Sequence, residues 1–457
     1  MMETKNAWRD PLRFVMDRRL GKTGTALLFA ALMAGFFLLT GRFCAGMEGA
    51  AVIAVCGTLG AALLTAFAWR ALGGEDMPVL VLLCTAALAM LAVGAHLALL
   101  DVKPGRYTKV LEPMLTDMWN YELVTAAAWE EGGWSGVYLI FMALLSRVEN
   151  FSWLYAVKLF DLLCQCAAAG AVLHLAMQRG AKAHGALAAM FACVLAPTML
   201  MNAGVWAQCD ATFAMLALWG LVLLLDDHPL AGCVLWGLAL GTKLQSAFLF
   251  PLLIVLFMKN RVQLRHLLAL AAAAFLCQIA IVLDGQGLAG LVTRYAVQLE
   301  DARWELGLSD GMPGVYKLML VASTREFSGM GLYLGIASAL LVVAALLRTR
   351  RALTNDTLLL GALLLAGGLP LILPQMNARC WYLAGMLAFA CAGNARRMIA
   401  AGLIEFISLC AYMASIFGFD VVPVMPLSLL AIGTAVLVLL EMLDAIRVKE
   451  DGEALRA

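Results

Sequence analysis

Residues 78–100 read PVLVLLCTAALAMLAVGAHLALL, a stretch without one acidic or basic side chain apart from His96. A helix needs about 20 residues to cross the roughly 30 Å hydrocarbon core of a bilayer, and this run is long enough. It lacks the period-two alternation of a barrel strand, so an α-helix must satisfy its backbone groups. Residues 24–43 and 268–283 have the same character. The whole chain agrees: of 457 residues 63% are hydrophobic and 14% charged, with mean hydropathy +0.89, whereas soluble domains carry about 25% charge. The expectation is an all-α polytopic transmembrane bundle.

Basic residues orient the bundle. Lys5, Arg9, Arg13, Arg18, Arg19 and Lys22 precede the first run, which places the N-terminus in the cytoplasm by the positive-inside rule. Acidic residues on that flank and the lack of a small-residue cleavage site make the run a retained span, not a signal peptide. Further basic clusters lie at residues 179–182, 259–265, 348–351, 396–397 and 447–449. All are cytoplasmic together if the chain makes about 14 crossings. Residues 136–147 are apolar but half the spanning length, so they are expected to form a re-entrant or interfacial helix.

The expected organisation is a cytoplasmic segment 1–23, transmembrane helices 24–100, a first outer loop 101–151, central helices 152–283, a second outer loop 284–327, C-terminal helices 328–446 and a cytoplasmic tail 447–457. Shorter outer turns fall near 206–209, 243–248, 374–382 and 418–426.

Several function classes lose support. Net charge is +1 and no basic tract lies outside the short inner loops, so nucleic acid is not an expected partner. No Walker-type or G-x-G-x-x-G loop appears, and no convincing internal repeat. The twelve cysteines sit mostly in apolar runs, and Cys164 and Cys166 point to different helix faces, which argues against a disulfide framework or a metal site. His96, His174, His184, His228 and His266 are dispersed.

The informative residues are polar ones near the expected outer ends of helices, because charge within a membrane is costly and usually faces a cavity or a partner. Residues 202–210 read NAGVWAQCD; the plainer account is a turn with Asp210 capping the next helix. Gly241-Thr242-Lys243-Leu244-Gln245 precedes Pro251, and Lys243 falls at the level of Asp210; the plainer account is a snorkelling lysine. Residues 373–382 read LPQMNARCWY, where Arg379, Trp381 and Tyr382 also suit an ordinary interfacial anchor. The first outer loop mixes charges with Trp119, Trp129 and Trp134, as expected of a helix lying on the membrane surface. Lys158 and Asp161 are three apart on the next helix and are expected to neutralise each other.

Together these stretches resemble the bacterial relatives of the second mannosyltransferase of GPI-anchor synthesis, in the GT-C superfamily of membrane glycosyltransferases. Trp206-Ala207-Gln208-Cys209-Asp210 matches that family's W-G-Q-C-D, Lys243, Gln245 and Pro251 match its K-x-Q followed by Pro, and Leu373, Pro374, Met376, Arg379 and Tyr382 fall in its L-P-K-M-H-E-R-Y-F-Y-L stretch. Tyr107, Leu111 and Pro113 fit its G-D-Y-x-x-F-L-x-P-W loop, and residues 155–159 fit its Y-x-x-K-L helix. The resemblance covers about residues 101–391.

It implies a GT-C type bundle that takes a mannose-like hexose from a polyprenyl-phosphate carrier and transfers it, with inversion, to a glycan or lipid acceptor at the outer face of a bacterial plasma membrane. No further cofactor or metal is required, and a membrane-protein partner is compatible with it. A loop carboxylate would act as general base while cations stabilise the departing phosphate. Lys243 and Arg379 would bind the lipid phosphate. Asp210 with Gln208 would orient hydroxyls, and Arg106, Tyr107, Trp206, Gln245 and Tyr382 would complete the substrate site.

The chain departs from the pattern where the chemistry needs it. Arg106 stands in place of the loop aspartate, and Gln375, Asn377 and Ala378 replace Lys, His and Glu. An arginine stays protonated and cannot serve as base. Either Asp101, Glu112 or Asp117 takes that role, leaving Asp101, Asp117 and Asp210 as catalytic candidates, or the chain is a lipid-glycan-binding subunit without catalysis. A lipid-linked glycan transporter is the third reading.

Overall fold

The computed structural model describes residues 19–73, 78–129, 135–300, 308–309, 311–319, 325–348 and 353–454. Lys5, Arg9, Arg13, Arg18, Trp134, Arg350 and Arg351, and the side chain of Lys449, lie outside the described residues. The chain is all-α, 81% helical, with no strand among the described residues.

Among the described residues, eight helices are long and apolar enough to cross a membrane: Lys22–Phe43, Ala50–Ala71, Val79–Leu97, Trp153–Gln178, Gly329–Arg348, Asn355–Ile372, Ala395–Phe417 and Val424–Arg447. Two more candidates are broken. Ala183–Leu195 bends by 43° into Pro197–Val205, and Leu264–Leu276 bends by 55° into Ile279–Thr293. The uninterrupted span expected over 268–283 is therefore bent at Cys277 and Gln278, where the φ/ψ of Gln278 leaves the helical region. Gly136–Leu145, Asp210–Leu225, Pro229–Thr242, Leu244–Met258 and Ala378–Cys391 are shorter apolar helices.

Local sequence explains the boundaries. Pro197, Pro229 and Pro251 open helices, where a missing N–H costs nothing and the fixed φ suits the first turn. At the Pro197 break Glu405, from a neighbouring span, accepts from the Thr198 backbone N–H at 2.8 Å and its hydroxyl at 2.7 Å. That carboxylate supplies acceptors at a helix start that has no side-chain cap of its own.

Close packing depends on small residues. Gly237 and Gly241, one turn apart on Pro229–Thr242, lie against Leu264–Leu276; a Cβ on Gly237 would come 2.2 Å from the Leu270 carbonyl oxygen. This is the small-residue stripe that lets membrane helices approach backbone to backbone.

In the first loop Tyr107, Leu111, Met114, Leu115 and Met118 are buried while Lys109 and Asp117 are exposed, a spacing that gives residues 107–119 one apolar face. Gly136–Leu145 is anchored at its start, where the Ser135 hydroxyl donates to the Gly241 carbonyl at 2.8 Å.

The Trp153–Gln178 helix defines two ends of the bundle, about 39 Å apart at 1.5 Å per residue. At its C-terminal end Arg179 donates to the Ala390 and Ala392 carbonyls at 2.7 and 2.6 Å. Nearby Arg397 pairs with Asp356 at 2.7 Å and with Glu441 at 3.0 Å, beside a cavity of about 780 Å³. The other end holds Asp210, Lys243 and Arg379.

Candidate functional site

A π-type turn at Met201–Val205 ends the second half of a broken helix, and such turns are frequent at functional sites. The chain then turns through Ala207, whose φ of +52° is left-handed, an uncommon conformation for a residue with a Cβ. This turn starts Asp210–Leu225 with Asp210 as its first residue.

Asp210 is fully buried. Its Oδ1 accepts from the Lys243 ammonium in an ion pair, and its Oδ2 accepts from Asn202 Nδ2 at 2.8 Å. The same amide donates to the Tyr412 hydroxyl at 3.1 Å. Asp210 therefore does not cap its helix: no side-chain cap bond is present there. Lys243 does not snorkel either, since its ammonium lies 5.3 Å from the Phe213 ring centroid and its side chain is 15% exposed.

The third stretch closes over the other two. Arg379 donates to Gln208 Oε1 and lies 5.3 Å from the Trp206 ring centroid, a cation–π distance. Trp206 meets Tyr412 edge to face at 5.2 Å. Gln245 Nε2 donates to Cys380 Sγ at 3.5 Å. Trp381 and Tyr382 are buried, and Trp381 donates to the Gly367 carbonyl at 2.8 Å; neither is an interfacial anchor.

Arg106 stands within electrostatic reach of Arg379, Cys209 and Asp210. Burial, aided by Arg379, lowers its pKa to about 10, so at neutral pH it adds a third cation beside Lys243 and Arg379. Tyr107 is buried in the loop's own apolar cluster.

Asp101 and Asp117 stand outside the interactions of Asp210. Asp101 accepts from the Tyr155 hydroxyl at the exposed root of the loop. Asp117 is exposed on Glu112–Trp119.

The expected pair of Lys158 and Asp161 does not form. Lys158 Nζ donates to the carbonyls of Leu99, Leu100 and Val102 at 2.6, 3.1 and 2.6 Å, saturating its three donors. Those carbonyls follow Val79–Leu97, where a cation meets the negative end of the helix dipole. Asp161 is instead buried within electrostatic reach of Asp210 and Lys243, and neither of its oxygens accepts a hydrogen bond. The Tyr138, Tyr382, Asn202 Oδ1 and Gln245 Oε1 polar atoms are likewise buried without a hydrogen-bond partner. Native interiors carry few such groups, so their concentration here marks a polar centre built for more than packing. Asn202 belonged to a quoted stretch; Tyr412 had no local signal, since it lies in an apolar span.

Among the described residues no group of three or more His, Cys, Asp or Glu side chains is arranged to hold a metal ion. No protein-family model matches the chain, and no curated protein matches it.

Proposed function

We propose that the chain is a GT-C type membrane glycosyltransferase, taking a mannose-like hexose from a polyprenyl-phosphate carrier and passing it with inversion to a glycan or lipid acceptor at the outer face of a bacterial plasma membrane. One observation carries the reading: three stretches far apart in sequence meet at Asp210–Lys243 and Gln208–Arg379. These are the stretches that resemble the mannosyltransferase motifs. Ala207, at the place of the motif's glycine, has the left-handed φ that glycine adopts freely.

In this reading Lys243, Arg379 and Arg106 receive the carrier phosphate and stabilise the charge it gains on leaving. Asp210, Gln208 and Asn202 orient hydroxyls. Trp206, Gln245, Tyr107 and Tyr382 shape the site, and Asp101 or Asp117 in the loop supplies the base. About 14 crossings follow if the two bent pairs and every shorter apolar helix but Gly136–Leu145 span the bilayer.

Arg106 favours a second reading, a lipid-glycan-binding subunit, because it puts a cation where the motif has its carboxylate. The assay separates the two. Purified protein is given polyprenyl-phosphate-linked mannose or glucose with membrane lipid extract, and transfer is compared for wild type, Asp101→Asn, Asp117→Asn and Asp210→Asn. Transfer lowered at least about 100-fold by one of them supports the enzyme. Donor binding without transfer supports the subunit, and absence of both rejects the site.

A further inference from the structure

Asp161 has no countercharge of its own. It is fully buried, its oxygens accept no hydrogen bond, and Lys158 is engaged by backbone carbonyls. The charged groups within reach are Asp210 and Lys243. Tyr138 faces it from the first loop, Tyr382 and Cys209 from packed elements, and Cys164 from its own helix. Two buried carboxylates thus share one lysine. The Tyr138 hydroxyl, buried without a hydrogen-bond partner, lies within electrostatic reach of Asp161 and Asp210.

Burying a carboxylate without a partner is strongly unfavourable, and neutralisation is the ordinary escape. Where two carboxylates share a site, one holds a proton.

We propose that Asp161, Asp210 and Lys243 form a proton-binding site in which the proton on Asp161 allows an anionic ligand to take Lys243. Without ligand, Lys243 pairs with Asp210 and Asp161 is a neutral acid. When a phosphate headgroup draws the ammonium away, the Asp161 O–H donates to Asp210, so the two carboxylates share one proton. No covalent bond is made and no proton enters or leaves. Once Asp161 is deprotonated at alkaline pH, release of Lys243 sets two carboxylates against each other, and the ligand binds poorly. The identity of the anion rests on the function proposed above; the proton does not.

The test has two readouts on the purified full-length protein. Infrared spectra at neutral pH should show a carboxylic-acid C=O stretch that disappears in Asp161→Asn and in Asp161→Leu but persists in Asp420→Asn. If the band survives both Asp161 changes, the proton site is wrong. Separately, a short-chain polyprenyl phosphate is titrated at neutral and alkaline pH. Wild-type affinity should fall about tenfold per pH unit once Asp161 ionises, whereas Asp161→Asn, whose amide keeps a donor, should stay level. Equal pH dependence in both proteins overturns the coupling. If no phosphate lipid binds while the band behaves as expected, the proton site stands and the anion assignment fails.

Discussion

The Asp210–Lys243 ion pair explains why two costly charges are tolerated in an apolar bundle: their mutual attraction offsets part of the desolvation penalty, and Asn202 takes a remaining carboxylate oxygen. Asp210→Asn alone takes the ion-pair partner from a mostly buried lysine and should lower stability, by less than the cost of about 3 to 5 kcal/mol for a wholly uncompensated buried charge, because Asp161 lies within electrostatic reach of Lys243. Adding Lys243→Met should restore most of that without restoring ligand binding, as thermal unfolding and binding in detergent would show. A double variant no more stable than Asp210→Asn would show that the pair is not the source of the loss. Ala207 gives a second test. A left-handed residue with a Cβ stores about 1 to 3 kcal/mol of strain, and its buried methyl group returns about 0.8 kcal/mol. Ala207→Gly should therefore be neutral or stabilising by about 1 kcal/mol, where a buried Ala→Gly change in a helix normally costs about 1 kcal/mol. Chemical denaturation of the two proteins decides between these signs.

Among the elements, the short helix Gly136–Leu145 depends on one position. Gly136 has φ +57°, and a Cβ there would lie 2.3 Å from the Gly241 carbonyl oxygen, two residues before Lys243. Gly136→Ala should lower stability by about 2 to 4 kcal/mol and weaken ligand binding through displaced Lys243; unfolding and binding measured on the same sample check both. A variant that unfolds earlier but binds normally would mean that this contact holds the loop and not the site. The broken helix ending at Val205 is the other positioning element. Its bend follows from Pro197, legible in sequence, but the acceptor at the bend is Glu405, more than two hundred residues away.

At the scale of the molecule, the described members of the basic clusters and the polar centre segregate. Arg179, Arg261, Arg397 and their partners gather at one end, and Asp210, Lys243 and Arg379 at the other. The positive-inside rule assigns the first end to the cytoplasm. In a background without the twelve native cysteines, an impermeant maleimide added to intact cells should label Thr108→Cys and should reach Asn260→Cys only after permeabilisation. Both positions are exposed. The reverse pattern would invert the topology and move the site to the inner face.

The long apolar runs made the helical membrane architecture readable, because a bilayer demands length and hydropathy that are local properties of a chain. The stretches holding Asp210, Lys243 and Arg379 were readable too, since polar residues in apolar surroundings advertise themselves. Their partners were not. Helical spacing allowed Lys158 to pair with Asp161, yet the carbonyls beyond Val79–Leu97 and the dipole of that helix drew the lysine away. Tyr412 looked like any core tyrosine until packing brought it to Asn202. Spacing limits which neighbours a side chain can meet on its own helix. Which donor or acceptor it takes depends on what the other helices bring within hydrogen-bond distance, and that exists only once the bundle has formed.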